Sequence, residues 1–262
     1  MQFLKEMDAY FVLTHPLGYA SESLMPERIV APWYDLLCAS EKQRAHAFRS
    51  DTLRRDFIIA HGLLRMFLAW TMLEPDPSKL QFVVSARGKP MLDPSVHHQA
   101  PEFSLSHSRA HLAIAVGAAK SSVGVDVESL PLETYVELAD TVLAGPEYLI
   151  WEAAPADEKA TVFLRYWTRK EAYLKFTGQG LVDDLHEIDT SQKIVRVNGL
   201  GSGCRVCTLD LAPASLEWAS RGVSGRLPSS VIALAGAVPP KALFHFYFQA
   251  GSFVRAPALV VC

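Results

Sequence analysis

The chain has 262 residues, half of them hydrophobic, which is enough to bury a large core in one domain or in two fused halves. Its net charge of −3 excludes the broad positive field that a nucleic-acid-binding protein needs. No N-terminal stretch has the layout of a signal peptide, and the longest apolar runs are too short to cross a bilayer. We therefore expect neither export nor a membrane span.

The cysteines indicate a reduced, cytoplasmic protein. Cys204 and Cys207 form a lone CxxC inside "CRVCTLDL", a segment predicted to be a strand. Residues three apart on a strand point to opposite faces, and no second CxxC exists to complete a zinc site. We therefore expect these residues, together with Cys38 and Cys262, to be free thiols.

The first half of the chain is predicted to run from a strand through helices to more strands. "DAYFVLT" predicts the opening strand, and "SEKQRAHAFRS" predicts a helix that starts with a capping box of Ser40 and Gln43. A longer helix follows from Asp51 to Leu73, with one apolar face, and prolines stop it. The next predicted strands are "QFVVSARGKPML", which leads into a Gly-Lys-Pro turn, then "PEFSLSHS", "HLAIAVGAA" and "VGVDVE".

The second half again places helices before strands. "LETYVELADTVL" and "EYLIWEA" predict two helices separated at Gly145-Pro146, and a long helix runs from Asp157 to Phe176, ending at Gly178. Strands are predicted at "KIVRVNGL", "CRVCTLDLA", "SVIALAGAV" and "LFHFYF". This order predicts an α+β fold of two similar α/β halves, residues 1–119 and 120–262, with a junction near 118–122.

The segment "VGVDVESL", residues 123–130, places two carboxylates on one face of a strand that is otherwise apolar. Asp126 and Glu128 alternate with valines, and alternate Cα atoms on a strand lie about 6.5–7 Å apart, so both carboxylates can reach one ion. Hard carboxylate oxygens suit Mg²⁺, which usually binds one or two carboxylates together with substrate phosphates and water. The alternative is an ordinary half-solvated strand face.

The segment "FLRYWTRKEAYLKFTGQGL" carries a second group of polar residues. Trp167, Glu171 and Lys175 recur at four-residue intervals and share one side of the long helix. These residues are candidates for a site, or else an exposed Glu–Lys pair beside a tryptophan that packs in the core and fixes the helix.

Phosphate-binding residues are predicted in three further segments. In "RGKPML", Gly88 lets a ligand approach the backbone and Lys89 offers an ammonium, although a plain surface turn explains the same residues. In "FSLSHS", Ser106 and His107 lie at a strand end, where the histidine is either packed or a phosphate donor. The segment 41–65 carries six basic residues, which form a solvated helix face or bind a phosphate-rich ligand: Lys42, Arg44, Arg49, Arg54, Arg55 and Arg65.

Taken in order, these motifs resemble those of the 4′-phosphopantetheinyl transferases of the longer, pseudo-dimeric (surfactin-type) group. The resemblance covers residues 37–185 and depends most on "GVDVE" followed by "WTRKEAYLK" and "GQGL". It implies two halves packed with pseudo-twofold symmetry and an active site in the cleft between them. It also implies Mg-dependent transfer of the 4′-phosphopantetheine group from coenzyme A to a serine of an apo acyl or peptidyl carrier protein, with release of adenosine 3′,5′-bisphosphate.

The resemblance also assigns roles to residues. Asp126, Glu128 and Glu171 would be magnesium ligands, with water taking the place beside Val127, and Glu171 is also a candidate base, directly or through water. The remaining contacts to coenzyme A would be Lys175 at the pyrophosphate, Lys89, Ser106 and His107 at phosphates, and Arg44 with Arg55, or with Arg54 in its place, at the 3′-phosphate. Where the family often has a basic residue three before Arg44, this chain has Glu41.

Two other functions remain open from the sequence. One is a catalytically silent module that binds coenzyme A or a carrier protein, and the other is a magnesium-dependent nucleotide pyrophosphohydrolase. We expect a monomer, with residues 131–150 as one wall of a carrier dock.

Overall fold

The computed structural model describes residues 9–17, 27–130, 135–180, 182–211, 230–237, 242–249 and 251–255. Over these residues the fold is α+β. The helices are α1 Glu27–Leu36, α2 Ala39–Ala47, α3 Asp51–Met72, α4 Tyr135–Val142, α5 Gly145–Ala153 and α6 Lys159–Thr177. The strands of the first half are β1 Ala9–Pro16, β2 Phe82–Val84, β3 Pro90–Leu92, β4 Glu102–His107, β5 His111–Gly117 and β6 Val123–Ser129. Those of the second half are β7 Ile188–Asp189, β8 Ile194–Val197, β9 Leu200–Leu211, β10 Ser230–Gly236, β11 Ala242–Gln249 and β12 Ser252–Arg255.

The first large sheet joins the two ends of the described chain. Its order is β12-β11-β1-β5-β4, with β1 parallel to β11 and antiparallel to β5. The apolar face of α3 packs against this sheet, because its buried leucines and Phe67 share a core cluster with Phe11, Phe103 and Leu112. The division of the chain at residues 119 and 120 stays a prediction, and this sheet does not follow it, since β11 and β12 belong to the later half.

The second large sheet has the order β6-β10-β9-β8-β7, and its neighbouring strands are antiparallel. Helix α6 covers one face of this sheet, with Phe163, Ala172 and Leu174 in a shared core with Val206 and Ala233. A third cluster lies between the two sheets, where valines of β6 meet Tyr10 and Val12 of β1. The predicted alternation of β6 is thus confirmed, because its valines face the other sheet while Asp126 bonds to α6 on the opposite face.

Most of the predicted elements are confirmed, and the exceptions are local. Helix α2 begins at Ala39, so the capping box of Ser40 and Gln43 is wrong: Cys38 is the N-cap residue, and its N–H donates to Glu41 at 2.9 Å. "QFVVSARGKPML" forms a hairpin, β2 paired with β3, rather than one strand. Helix α1 and strands β7 and β12 were not predicted. The first three residues of the helix predicted at "LETYVELADTVL", 132–134, lie outside the described part.

The described cysteines lie on both faces of β9 and just before α2. Cys204 is buried in the core under α6, whereas Cys207 packs from the other face of β9 against the cluster between the sheets. Neither of them is in a disulfide, nor is Cys38. Among the described helices, none combines the length and the apolar character needed to span a bilayer.

Candidate functional site

The site begins with an unusually close approach of helix α6 to strand β6. A side chain at Gly124 would overlap the carbonyl oxygen of Ala172 and would come within 2.5 Å of the nitrogen of Phe176. Only glycine therefore allows the C-terminal half of α6 to lie directly on β6. This contact brings side chains of the strand and of the last turns of the helix to the same place.

Lys175, Asp126 and Ser106 converge at that place from three elements. The Nζ atom of Lys175 donates to Asp126 Oδ1 at 2.6 Å and to Ser106 Oγ at 2.8 Å, and Ser106 Oγ donates to the same Asp126 oxygen at 2.7 Å. Asp126 is 3% exposed. Because Ser106 lies on β4 and Asp126 on β6, this triangle joins the two large sheets.

Glu171 and Glu128 lie close enough to the triangle for the charges of Asp126 and Lys175 to shift their pKa values. Burial, and after it the charge of Asp126, raises the pKa of Glu171. The same two causes raise the pKa of Glu128 to about 7, with a further contribution from Glu171 and opposition from Lys175 and a hydrogen bond from Trp167. The three carboxylates therefore repel one another, as side chains that can share a cation do.

The donor set fits a hard cation, although the side chains do not form a closed cage. Within the described ranges, no three His, Cys, Asp or Glu side chains are grouped so that they could hold a metal ion together. However, Asp126 Oδ2 and Glu171 Oε1 are buried oxygens without a hydrogen-bond partner. Buried carboxylate oxygens need a partner, and a divalent cation such as Mg²⁺ supplies one. The magnesium set of Asp126, Glu128 and Glu171 stays a prediction.

Lys89 donates hydrogen bonds to backbone carbonyl groups in this structure. Its Nζ atom donates to the carbonyl oxygen of Val123 at 3.2 Å and to that of Lys175 at 3.0 Å. Burial lowers the pKa of Lys89. The residue thus ties the turn between β2 and β3 to the start of β6 and to the end of α6. Its role as a phosphate contact stays a prediction.

A groove of about 1710 Å³ lies between α2, α3 and the β2–β3 hairpin. His107 lies at its β4 end, where desolvation and then the charge of Lys175 lower its pKa. Arg44 lines the groove and lies over the Phe57 ring, with its guanidinium carbon 5.3 Å from the ring centroid. The groove is large enough for a nucleotide-sized ligand with its phosphates towards His107.

The other two predicted arginines make local contacts. Arg55 pairs with Asp56 at 3.3 Å, and Arg54 donates to Asp51 at 2.8 Å and to the Phe48 carbonyl at 2.9 Å. Of the three, Arg44 is the one whose side chain lines the groove. The choice between Arg54 and Arg55 as its partner stays a prediction.

Glu41, the departure from the family pattern, has a structural role. Its carboxylate accepts from Arg65 Nε at 2.8 Å and lies 3.1 Å from His61 Nδ1. Although burial opposes it, these partners and the Cys38 N–H lower the pKa of Glu41 to about 2. Arg65 is fully buried and also donates to the Leu80 carbonyl, so sequence reasoning wrongly grouped it with solvated charges. Its position within the apolar stretch of α3 is the signal that indicates burial.

Sequence reasoning also missed a buried ion pair behind the site. Lys170 and Glu147 lie 2.7 Å apart, and both side chains are almost fully buried. Trp167 was expected to pack in the core and fix the helix. It stacks on Phe163 with ring centroids 6.3 Å apart, and it also bonds to Glu128.

Comparison with known proteins finds similarity to one family. A sequence model of the 4′-phosphopantetheinyl transferase superfamily matches residues 122–214, which include β6 and α6. The 4′-phosphopantetheinyl transferase HetI of Nostoc sp. is 36% identical over 58% of this chain and 64% of that protein. The chain thus aligns with less than two thirds of the length of this relative.

Two other relatives come from different sources. The L-aminoadipate-semialdehyde dehydrogenase-phosphopantetheinyl transferase of Eremothecium gossypii is 34% identical over 56% of this chain and 54% of that protein. The 4′-phosphopantetheinyl transferase psf-1 of Bacillus pumilus is 28% identical over 69% of this chain and 75% of that protein.

Proposed function

We propose, from the premise that the chain belongs to the 4′-phosphopantetheinyl transferase superfamily, that it moves the 4′-phosphopantetheine group of coenzyme A to a serine hydroxyl of an apo acyl or peptidyl carrier protein. Adenosine 3′,5′-bisphosphate is the other product. The observation that carries the proposal is the convergence of Lys175, Asp126 and Ser106 beside Glu171. A groove of about 1710 Å³, whose lining includes His107, the neighbour of Ser106, supports it.

The groove is proposed to hold coenzyme A with its diphosphate at the triangle. Ser106, His107 and Lys89 are assigned to phosphate oxygens and Lys175 to the pyrophosphate, because hydroxyl and cationic donors suit these acceptors. Arg44 and Arg55 are assigned to the 3′-phosphate end. The exposure of Arg44 to the groove supports its assignment, whereas Arg55 would have to leave Asp56.

Asp126, Glu128 and Glu171 are the proposed ligands of one Mg²⁺, which when bound would neutralise charge on the diphosphate as the phosphorus–oxygen bond breaks. The residues of the chain do the rest. Lys175 and Ser106 orient the diphosphate so that the serine oxygen attacks phosphorus in line with the leaving group. Glu171 accepts the serine proton, directly or through water.

The protein is proposed to be a monomer in the cytoplasm. Its two halves, 1–119 and 120–262, are proposed to be related by a pseudo-twofold axis. Two five-stranded sheets that each carry one long helix, α3 and α6, support this symmetry. The carrier protein is proposed to dock beside residues 131–150, of which 131–134 lie outside the described part.

The proposal is tested by labelling a panel of apo carrier proteins with fluorescent coenzyme A, with and without Mg²⁺. We expect Mg-dependent labelling by the wild-type chain and none by Asp126→Asn or Glu171→Gln. Asp157→Asn and Glu187→Gln, which change exposed acids outside the proposed site and dock, serve as matched controls and should keep the wild-type rate. Normal turnover by Asp126→Asn would show that the site is wrongly assigned.

The same assay separates the other two functions. A module that only binds would retain coenzyme A tightly but label no carrier in the panel. A nucleotide pyrophosphohydrolase would release phosphate products without an acceptor protein, which mass spectrometry detects.

A further inference from the structure

We infer that the ammonium of Lys175 is a resident counter-ion of the cation site, and that it makes the binding of a divalent cation and of a diphosphate ligand mutually reinforcing. Its movement from Asp126 to the diphosphate would be the link between the two ligands. This inference rests on the proposed function, since it concerns how the same site is loaded.

The contacts of Lys175 show why its ammonium opposes a divalent cation. It lies 2.6 Å from Asp126 Oδ1 and therefore occupies one of the two oxygens that this carboxylate could offer to a metal ion. The unpartnered buried oxygens, Asp126 Oδ2 and Glu171 Oε1, belong to the carboxylates around it. A positive charge held on Asp126 must repel a second cation that binds there, because like charges a few ångströms apart in a poorly solvated site interact strongly.

Lys175 is able to leave Asp126 because its side chain is not enclosed. The side chain is 31% exposed, whereas that of Asp126 is 4% exposed. When the ammonium departs, the burial of Asp126 on β6 still holds the carboxylate in place. The lysine is thus the mobile partner and the aspartate is the fixed one.

A diphosphate gives Lys175 a new partner at the moment when a cation requires its removal. Binding of the diphosphate would draw the ammonium off Asp126 and raise the affinity for the cation. By thermodynamic linkage, the cation must then raise the affinity for the diphosphate by the same factor. Couplings of this kind usually amount to about 5- to 150-fold in affinity.

The experiment measures Mn²⁺ binding by the electron paramagnetic resonance signal of the free ion, without and with saturating coenzyme A. Titrations of coenzyme A alone correct for Mn²⁺ bound in solution. For the wild-type chain, we expect coenzyme A to tighten Mn²⁺ binding at least about fivefold. For Lys175→Met, we expect tighter Mn²⁺ binding than wild type without coenzyme A, and a smaller gain than wild type when coenzyme A is added.

Two further variants keep the result interpretable. Lys175→Gln removes the charge but keeps a polar group, and it should behave like Lys175→Met. Lys159→Met removes a lysine at the other end of the same helix, whose Nζ lies 4.4 Å from the centroid of the Trp151 ring, and it should behave like wild type. Circular dichroism melting checks that each variant is folded.

Mn²⁺ binding that is weaker or unchanged in both Lys175 variants, or absent from all proteins, would overturn the inference. So would a coenzyme A effect of the same size in wild type and variants. The proposed function fails separately, in the carrier-labelling assay: a chain that shows the coupling but labels no carrier retains the counter-ion role and loses the transferase role.

Discussion

Lys89 illustrates how one side chain can hold a site together through backbone atoms. The carbonyl group of Lys175 is among the last four of helix α6, which have no partner within the helix and lie at its negative end. The ammonium of Lys89 donates to this carbonyl and to that of Val123. A cation at this position therefore stabilises the end of the helix that carries Lys175 and Glu171.

Replacing Lys89 separates this structural role from phosphate binding. Lys89→Met keeps the apolar stem and removes two charge-assisted hydrogen bonds, so we expect the free energy of unfolding to fall by about 1–3 kcal/mol in urea titrations. Lys79→Met, which removes an exposed lysine at the groove, is the control and should leave stability unchanged. Loss of coenzyme A affinity without loss of stability would mean that Lys89 contacts phosphate only.

At the scale of elements, the packing of α6 on β6 depends on the absence of a side chain at Gly124. Gly124→Ala would place a Cβ atom against the helix backbone, which moves less easily than a side chain. We expect the free energy of unfolding to fall by about 3 kcal/mol. Transfer activity should fall by more than the loss of folded protein explains, because the shifted helix carries Glu171 and Lys175.

Gly201→Ala is the matched control for this prediction, since it adds a methyl group on β9 with nothing within 4 Å. Chemical denaturation gives the stability and carrier labelling gives the activity of both variants. Wild-type stability of Gly124→Ala would contradict the close helix–strand contact.

The buried pair of Lys170 and Glu147 holds α6 from the side opposite β6. Lys170 donates to the carbonyl groups of Leu185 and Ile188, and Glu147 accepts from the N–H and hydroxyl of Thr190 at 2.6 and 2.7 Å. The pair therefore links α6 to α5 and to the segment before β8. Because Lys170 precedes Glu171, it fixes the rotation of the helix that aims Glu171.

Breaking this pair is predicted to affect stability and catalysis differently. Lys170→Met leaves a buried charge on Glu147 and should cost about 3–5 kcal/mol of unfolding free energy. Lys170→Met with Glu147→Gln removes that charge and should recover part of the loss, while the transfer rate at saturating coenzyme A stays at least about tenfold low. A double variant that regains stability and rate together would contradict a positioning role.

The sequence predicts elements well where the pattern is local and poorly where partners are distant. Helix α3 follows from its apolar face and the prolines after it, whereas α1 was missed because Pro32 lies inside it, where proline usually breaks a helix. The alternation of β6 predicted which of its residues share a face. The carbonyl partners of Lys89, 34 and 86 residues away, leave no trace in local spacing.

At the scale of the whole molecule, the two large sheets are joined by a chain of hydrogen bonds at one end of their interface. Ser108 bonds to Ser129, Ser129 to Ser230 and Ser230 to His111 Nδ1, at 2.7, 2.8 and 2.8 Å. The first and last of these residues flank the turn between β4 and β5, whereas Ser129 and Ser230 belong to β6 and β10 of the other sheet. His111 is 6% exposed.

Burial of His111, and of His15 on β1, makes the interface between the two sheets sensitive to acid. Desolvation lowers the pKa of His111 from 6.5 to about 4, and desolvation followed by His111 lowers that of His15 to about 4. Between pH 4 and pH 6.5 the unfolded chain binds more protons than the folded one. The stability that these histidines contribute is therefore present above pH 6.5 and is lost as the pH falls to 4. Glu128 acts in the opposite direction, because its pKa is raised from 4.5 to about 7 and its contribution is lost as pH rises through that range.

Comparing the wild-type chain with His111→Gln cancels the contribution of Glu128. Urea titrations at several pH values between 7.5 and 4 should show wild type losing about 3 kcal/mol more than the variant as pH falls, since each pKa unit corresponds to about 1.4 kcal/mol. His98→Gln, which changes an exposed histidine, should follow the wild-type curve. If the difference between wild type and His111→Gln does not change with pH, protonation of His111 does not weaken the joint between the sheets.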